Sequence, residues 1–270
     1  MDLVVFGDSW THGDELKYEN TEYRNTYNIG GLIYKDFNFD NYHNYSNNGG
    51  SLQHIVFHLI NYLNSDNYNE NNLILVGLTS PMRKFRFNNL INRVTNWTSY
   101  DYKENMQFAD DVLKKSKAFK DWWTGEVLSH VNVRNDLVHY FNICIVIKQL
   151  LSKHKKYIVW QSIDGGLYDE VENDIQGVVI HYENQNSKET ERLGEDDSIF
   201  DKEFVNKTLK DGCSDTQLWL NIDNVSWHDW LKLRETGLVE SLMHPSEEGI
   251  KLWYDNFLKK NIKKVLDYSK

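Results

Sequence analysis

The sequence predicts a three-layer α/β/α sandwich around a mainly parallel sheet of about five strands. Three observations predict it. Leu3–Phe6, Leu73–Val76 and Tyr157–Trp160 are short, unbroken apolar runs, as in strands buried on both faces. Leu52, Ile55, Val56, Leu59, Ile60 and Leu63 recur at helical spacing, and so do Leu137, Tyr140, Phe141, Cys144, Ile147, Leu150 and Leu151. Strand and helix alternate through short connections up to Val76, the order of right-handed βαβ units.

The first strand covers about residues 2–6, and the polar, aromatic stretch 10–25 reads as a loop over its end. The pattern predicts a helix from about Tyr27 to Phe37 and a weak second strand near Asn41–Tyr45. Ser46-Asn47-Asn48-Gly49-Gly50-Ser51 is a turn with two glycines. The helix after it gives way at Asn71-Asn72 to a third strand, which leaves the sheet through Gly77-Leu78-Thr79-Ser80-Pro81. Residues 82–125 show no clean period and read as loops and short helices. A helix resumes at Val133, and Lys153–Lys156 suit its C-terminal end. A fourth strand, Tyr157–Trp160, ends near Gln161–Gly166. Residues 164–215 are acidic, with a candidate strand at Val178–Tyr182. They read as a solvated surface insertion, with a lid over the sheet edge as the functional alternative. The last helix carries Ile250, Trp253, Tyr254, Phe257, Leu258, Ile262, Val265 and Leu266. Pro245 and Ser246 mark its start, and Glu247 and Glu248 sit in its positive first turn. Residues 1–270 thus read as one domain with insertions at about 82–125 and 164–215.

Composition bounds the function. With 40% hydrophobic and 14% aromatic residues the chain is too apolar to stay disordered. A formal charge of −10 argues against a nucleic-acid backbone as main partner. Two cysteines, Cys144 and Cys213, make neither a disulfide framework nor a zinc cluster, and no Gly-x-Gly-x-x-Gly follows the first strand; neither metal nor cofactor is expected. No basic start with an apolar core marks a secretory signal, and no run reaches the roughly 18 apolar residues of a membrane span. Abundant Asn, Lys, Tyr and Ile suggest an AT-rich microbial or viral genome. The expected setting is therefore a soluble cytoplasmic protein, or a virion-associated one if viral.

Four places fall at or near strand ends: Ser9, Gly49, Thr79 and His244. In open α/β sheets that edge is where ligands bind. A serine hydroxyl is a weak nucleophile that needs a base, and the oxyanion formed on its target needs hydrogen-bond donors. His244 can be the base, and the Ser9 and Gly49 N–H groups with the Thr79 hydroxyl can be the donors. Taken singly, Ser9 is a helix cap, Gly49 a turn residue, Thr79 a strand exit and His244 a helix entry. Their joint occurrence favours a shared site.

On these residues the chain resembles the SGNH (GDSL-like) hydrolase family. Gly7-Asp8-Ser9 with Gly13 matches the family's first block, whose serine is the nucleophile. Asn47-Asn48-Gly49-Gly50-Ser51 is similar to the second block, whose glycine N–H serves the oxyanion hole. Gly77-Leu78-Thr79-Ser80 aligns with the third block, Gly-x-Asn-Asp, and His244-Pro245 with the last, Asp-x-x-His-Pro. The resemblance implies a flavodoxin-like sandwich and a serine esterase, acting on an O-acyl, most simply acetyl, ester of a carbohydrate. Two positions depart from it. Thr79 stands for the oxyanion asparagine, and Ser241 stands for the acid three residues before the histidine, leaving the adjacent Glu240 as candidate acid. These departures support the alternative, a non-catalytic relative using the same cleft to bind a sugar or protein, such as a phage or surface component.

Asp8 is read as ordering the turn rather than acting on substrate. Trp10 and Asn48 are candidate substrate contacts. Trp10, Trp97, Trp122 and Trp123 carry the suggestion of sugar stacking, against packing as the ordinary role of tryptophan. His54 and His58 have a spacing that can hold a metal, but no third ligand is evident, so they read as a surface pair. His228-Asp229 is a further base–acid pair with no fixed place.

Overall fold

The computed structural model describes residues 1–14, 16, 20–79, 83–88, 93–98, 133–162, 207–220, 226–232 and 244–267. Five strands form the main sheet: β1 (Leu3–Phe6), β2 (Tyr42–Asn44), β3 (Leu73–Leu78), β6 (Tyr157–Gln161) and β7 (Gln217–Leu220). Between the third and fourth of these lies a separate antiparallel pair, β4 (Arg83–Asn88) and β5 (Arg93–Thr98). The main sheet is parallel throughout, in the order β2-β1-β3-β6-β7. Leu3 lies between Tyr42 and Leu73, and Ile74 pairs with Tyr157. Counted along the chain, the order is 2-1-3-4-5. Strand order therefore reverses between β1 and β3, whose carboxyl ends flank the crevice typical of ligand sites.

The helices described in full include α1 (Ser9–His12), α2 (Thr21–Tyr27), α3 (Ile29–Phe37), α4 (Leu52–Leu63), α5 (Val133–Leu151), α6 (Trp227–Lys232), α7 (Glu247–Trp253) and α8 (Lys259–Asp267). Successive strand side chains point to opposite faces, which divides the core in two. Val4, Phe6, Ile74, Val76 and Val159 pack with Leu52, Ile55 and Leu59 of α4 and Ile143, Cys144 and Ile147 of α5. Leu3, Val5, Leu73, Leu75, Ile158 and Trp160 pack with Ile29 and Ile33 of α3, Trp227 of α6, and Trp253, Ile262 and Val265 near the C-terminus. This is the expected α/β/α arrangement. Among the described residues no helix is long and apolar enough to cross a membrane.

Several local expectations are corrected. The helix expected from about Tyr27 to Phe37 is α3, Ile29–Phe37, and a separate helix, α2, ends just before it at Asn28. Its extended backbone (φ −69°, ψ 171°) ends α2, and its side chain caps α3 by accepting from the Gly31 N–H at 2.8 Å. The stretch 10–25 is not all loop, since it includes most of α1 and the start of α2. Residues 83–88 and 93–98 are strands rather than loops and short helices. The alternation Lys84-Phe85-Arg86-Phe87 was the signal for them. The fifth strand is Gln217–Leu220, too short for its pattern to stand out; Val178–Tyr182 lies outside the described residues.

The C-terminal helix is also interrupted, by a π-helical turn at Tyr254–Leu258. There the Lys259 N–H donates to the Tyr254 carbonyl, five residues back. The wider turn brings Tyr254 and Lys259 together, and both donate to Asp36 Oδ2 of α3, at 2.7 and 2.6 Å. Lys259 and Tyr254 hold the Asp36 carboxyl below its ordinary range.

Candidate active site

β1 runs into Gly7-Asp8-Ser9, and the chain turns at once into α1. Asp8 caps that turn: its Oδ1 accepts from the N–H groups of Trp10 (3.1 Å) and Thr11 (3.3 Å). Gly13 closes it in the left-handed region (φ 83°), with its N–H donating to the Ser9 carbonyl at 3.0 Å. Asp8, Ser9 and Thr11 are all buried.

Thr11 decides why two glycines stand at the strand ends. A Cβ on Gly7 would lie 2.3 Å from Thr11 Oγ1, and one on Gly77 would lie 2.2 Å from the same atom. The threonine side chain fills the space left between the ends of β1 and β3. Sequence reading missed Thr11, because Gly77, one of its two glycine partners, lies on the neighbouring strand.

The two-glycine loop is tied to the serine turn by backbone. Tyr45 N–H donates to Val5 O (2.7 Å) and Asn47 N–H to Gly7 O (3.1 Å), extending the β1–β2 pairing past the strand. Gly50 approaches so closely that a Cβ there would sit 3.0 Å from Gly7 O and 3.3 Å from Asp8 Cα. Its N–H is committed to Asn47 O. Gly49, at φ 63°, has an N–H with no acceptor among the described residues. Asn48 beside it is exposed.

Thr79 follows β3 and is fully buried, and its hydroxyl has no hydrogen-bond partner among the described residues. Its carbonyl accepts from Gln161 Nε2 at 3.3 Å, and the Tyr140 hydroxyl donates to Gln161 Oε1. This buried amide network at the end of β6 holds Thr79 from behind, and sequence reading did not single it out.

His244 is half-buried and precedes the buried Pro245. Ser246 caps α7 by accepting from the Gly249 N–H at 3.1 Å. The Tyr23 hydroxyl donates to Glu247, joining α2 to the start of α7. That carboxylate raises the Tyr23 phenol to about 12. Trp10, next to Ser9, meets Trp227 edge-on at 5.2 Å, and Trp227 stacks on Trp253 of α7 at 5.9 Å. The chain's two ends therefore pack into one layer beside the turn.

Trp10, a candidate substrate contact, is 2% exposed, with its ring packed against Trp227. Glu240, Ser241, Trp122, Trp123 and the side chains of Trp97, His228 and Asp229 lie outside the described residues. One pair was overlooked: His12 Nδ1 donates to Asp14 Oδ1 at 2.7 Å, with Asp14 3% exposed and its N–H on the Ser9 carbonyl. Its only signal is a His-x-Asp spacing just after the turn.

No protein-family model matches the sequence, and no curated protein matches it. Two solved structures are similar. One is a member of the lipolytic G-D-S-L family from Veillonella parvula, at 12% identity over 95% of this chain and 98% of that one, with a TM-score of 0.42. The other is a carbohydrate esterase whose active site displays divergent catalytic and non-catalytic binding functions. It is 16% identical over 100% of this chain and 68% of that one, with a TM-score of 0.38. Strand order and pairing, rather than these likenesses, carry the fold assignment.

Proposed function

We propose that the chain is a serine ester hydrolase of the SGNH type, acting on an O-acyl ester of a carbohydrate. One observation carries the reading: the Ser9 turn, the Gly49 loop and Thr79 are gathered at the carboxyl ends of β1 and β3, where strand order reverses.

In this reading Ser9 Oγ attacks the ester carbonyl carbon while His244 takes its proton. The carbonyl electron pair moves onto oxygen, where the Ser9 and Gly49 N–H groups and the Thr79 hydroxyl receive it. Collapse expels the alcohol, which leaves with the proton from His244. Water, deprotonated by His244, then attacks the acyl-enzyme and frees the acid and Ser9. Glu240 is the candidate that orients the imidazole. The His12–Asp14 pair supports a second assignment of the base, because its acid is already in place at 2.7 Å.

A fluorophosphonate probe and hydrolysis of acetylated sugars and short aryl esters test this. Wild type labels and turns over. Ser9→Ala loses both, with a fall of at least about 10³-fold, and Thr79→Val lowers kcat by on the order of 10²-fold. Loss in His244→Ala but not His12→Ala assigns the base to His244, and the converse assigns it to His12. A folded wild type that neither labels nor hydrolyses any of these esters overturns the enzyme reading in favour of a binding cleft.

A further inference from the structure

Among the described residues four large apolar side chains are 40% or more exposed, and three of them stand on two neighbouring helices. They are Phe57 (55%) and Ile60 (40%) of α4 and Val146 (44%) of α5. Scattered singly, such residues call for no explanation, but these are gathered on one face. α4 leads into β3 and α5 into β6, which are parallel neighbours, so the two helices run in the same direction. The Gln53 side-chain amide donates to His139 Nε2 at 2.7 Å, which sets these two residues side by side. Seven residues make two helical turns less about 20°, so the same edges next carry Ile60 and Val146. Phe57 precedes Ile60 by three residues and shares its face.

The face is also without charge. The exposed positions of α4 are Phe57, Ile60 and Asn61. Those of α5 from His139 onward are His139, Asn142, Val146 and Gln149. Lys148, the one formal charge in that stretch of α5, is committed elsewhere, its Nζ donating to the carbonyls of Thr208 and Asp211 at 2.6 Å each. On the other side of the sheet every exposed position of α7 and α8 is Lys, Asp or Glu. Lying on the outside of the sandwich therefore does not account for the neutral face. Apolar side chains without charged neighbours are instead the composition of an interface core.

We propose that α4 and α5 form a self-association surface, on which a second copy of this chain packs about a two-fold axis. Charge selects the occupant. At a formal net charge of −10, two copies repel one another over most approaches, and this face sets no like charges against each other. A strongly acidic or basic partner would call for opposite charge here, and the face offers none. A two-fold axis places the face against itself, so Phe57, Ile60 and Val146 of both copies leave water together. α4 is about 18 Å long at 1.5 Å per residue, and two helices side by side span about 20 Å. Such a face, paired with its copy, reaches the lower end of specific interfaces, about 1,000 Å² in total. The inference does not depend on the hydrolase reading.

Sedimentation velocity of the full chain over about 1–200 µM tests it. The expected result is a shift from the mass of one chain to twice that mass, with a dissociation constant on the order of 10 µM. Added salt strengthens the dimer, because it screens the like charges of the two copies. Ile60→Lys and Val146→Lys each raise the dissociation constant by at least about 10-fold, by bringing like charges to the shared face. Lys260→Gln on α8 leaves it within about 2-fold. Circular dichroism and urea unfolding check that each variant is folded. A wild type that remains a single chain to about 200 µM, or a dimer that salt weakens, overturns the proposal. So does a dimer undiminished in the folded Ile60→Lys/Val146→Lys variant, or one weakened equally by Lys260→Gln.

Discussion

At the scale of the residue, the site is built on space as much as on donors. Thr11 occupies the gap between Gly7 and Gly77, so these glycines are demanded by a side chain that neither touches in sequence. Gly77→Ala is expected to cost about 1–3 kcal/mol, because the buried threonine has little freedom to retreat. Thr11→Ala removes the atom 2.2 Å from the new methyl, leaving Ser162 Oγ at 2.7 Å as the next contact. The double variant should therefore be more stable than the two single losses predict when added. Urea unfolding of the four proteins measures this coupling. Additive losses would mean that Thr11 is not the obstacle.

At the scale of the element, Asn28 carries more than its size suggests. One oxygen receives the Gly31 N–H and the Tyr42 hydroxyl (3.0 Å), while Nδ2 donates to the His12 carbonyl (3.1 Å). The residue thus caps α3, fastens β2 and holds the end of α1 beside Ser9. Asn28→Ala removes the cap and leaves part-buried polar groups unpaired, an expected loss of about 2–4 kcal/mol in urea unfolding. Adding Tyr42→Phe should return part of it by removing one stranded hydroxyl. A loss of a few tenths of a kcal/mol would show that water replaces these bonds. The π-helical turn works at the same scale, since Tyr254 and Lys259 reach Asp36 together only because five residues make the turn.

For the whole molecule, the pH dependence of stability is tied to a histidine at the opposite edge of the sheet. His154 is 1% exposed, and its Nε2–H donates to the Asn72 carbonyl at 2.8 Å, fastening the entry to β3 to the entry to β6. Burial lowers its affinity for a proton, as it does for His54 and His58. A histidine with a depressed folded pKa binds fewer protons folded than unfolded. Its contribution is complete above about pH 6.5 and is lost as pH falls through the lower folded value. The urea midpoint should therefore be lower at about pH 5.5 than at about pH 7.5, and His154→Gln should flatten the difference. An equally steep profile in that variant would remove His154 from the account.

The layered architecture was legible in the sequence because it follows from local periodicity. Unbroken apolar runs at Leu3–Phe6 and Leu73–Val76 and the helical spacing from Leu52 to Leu63 report their surroundings without knowledge of any partner. The Gly-Asp-Ser turn was legible for the same reason, as capping and turn chemistry act within a few residues. Burial of Trp10, the seat of Thr11, the boundary between α2 and α3 at Asn28 and the proximity of Asn47 to His54 were not legible, nor was the joining of Tyr23 to Glu247. Each depends on which distant segments the sheet order sets side by side, and a linear pattern carries no record of that.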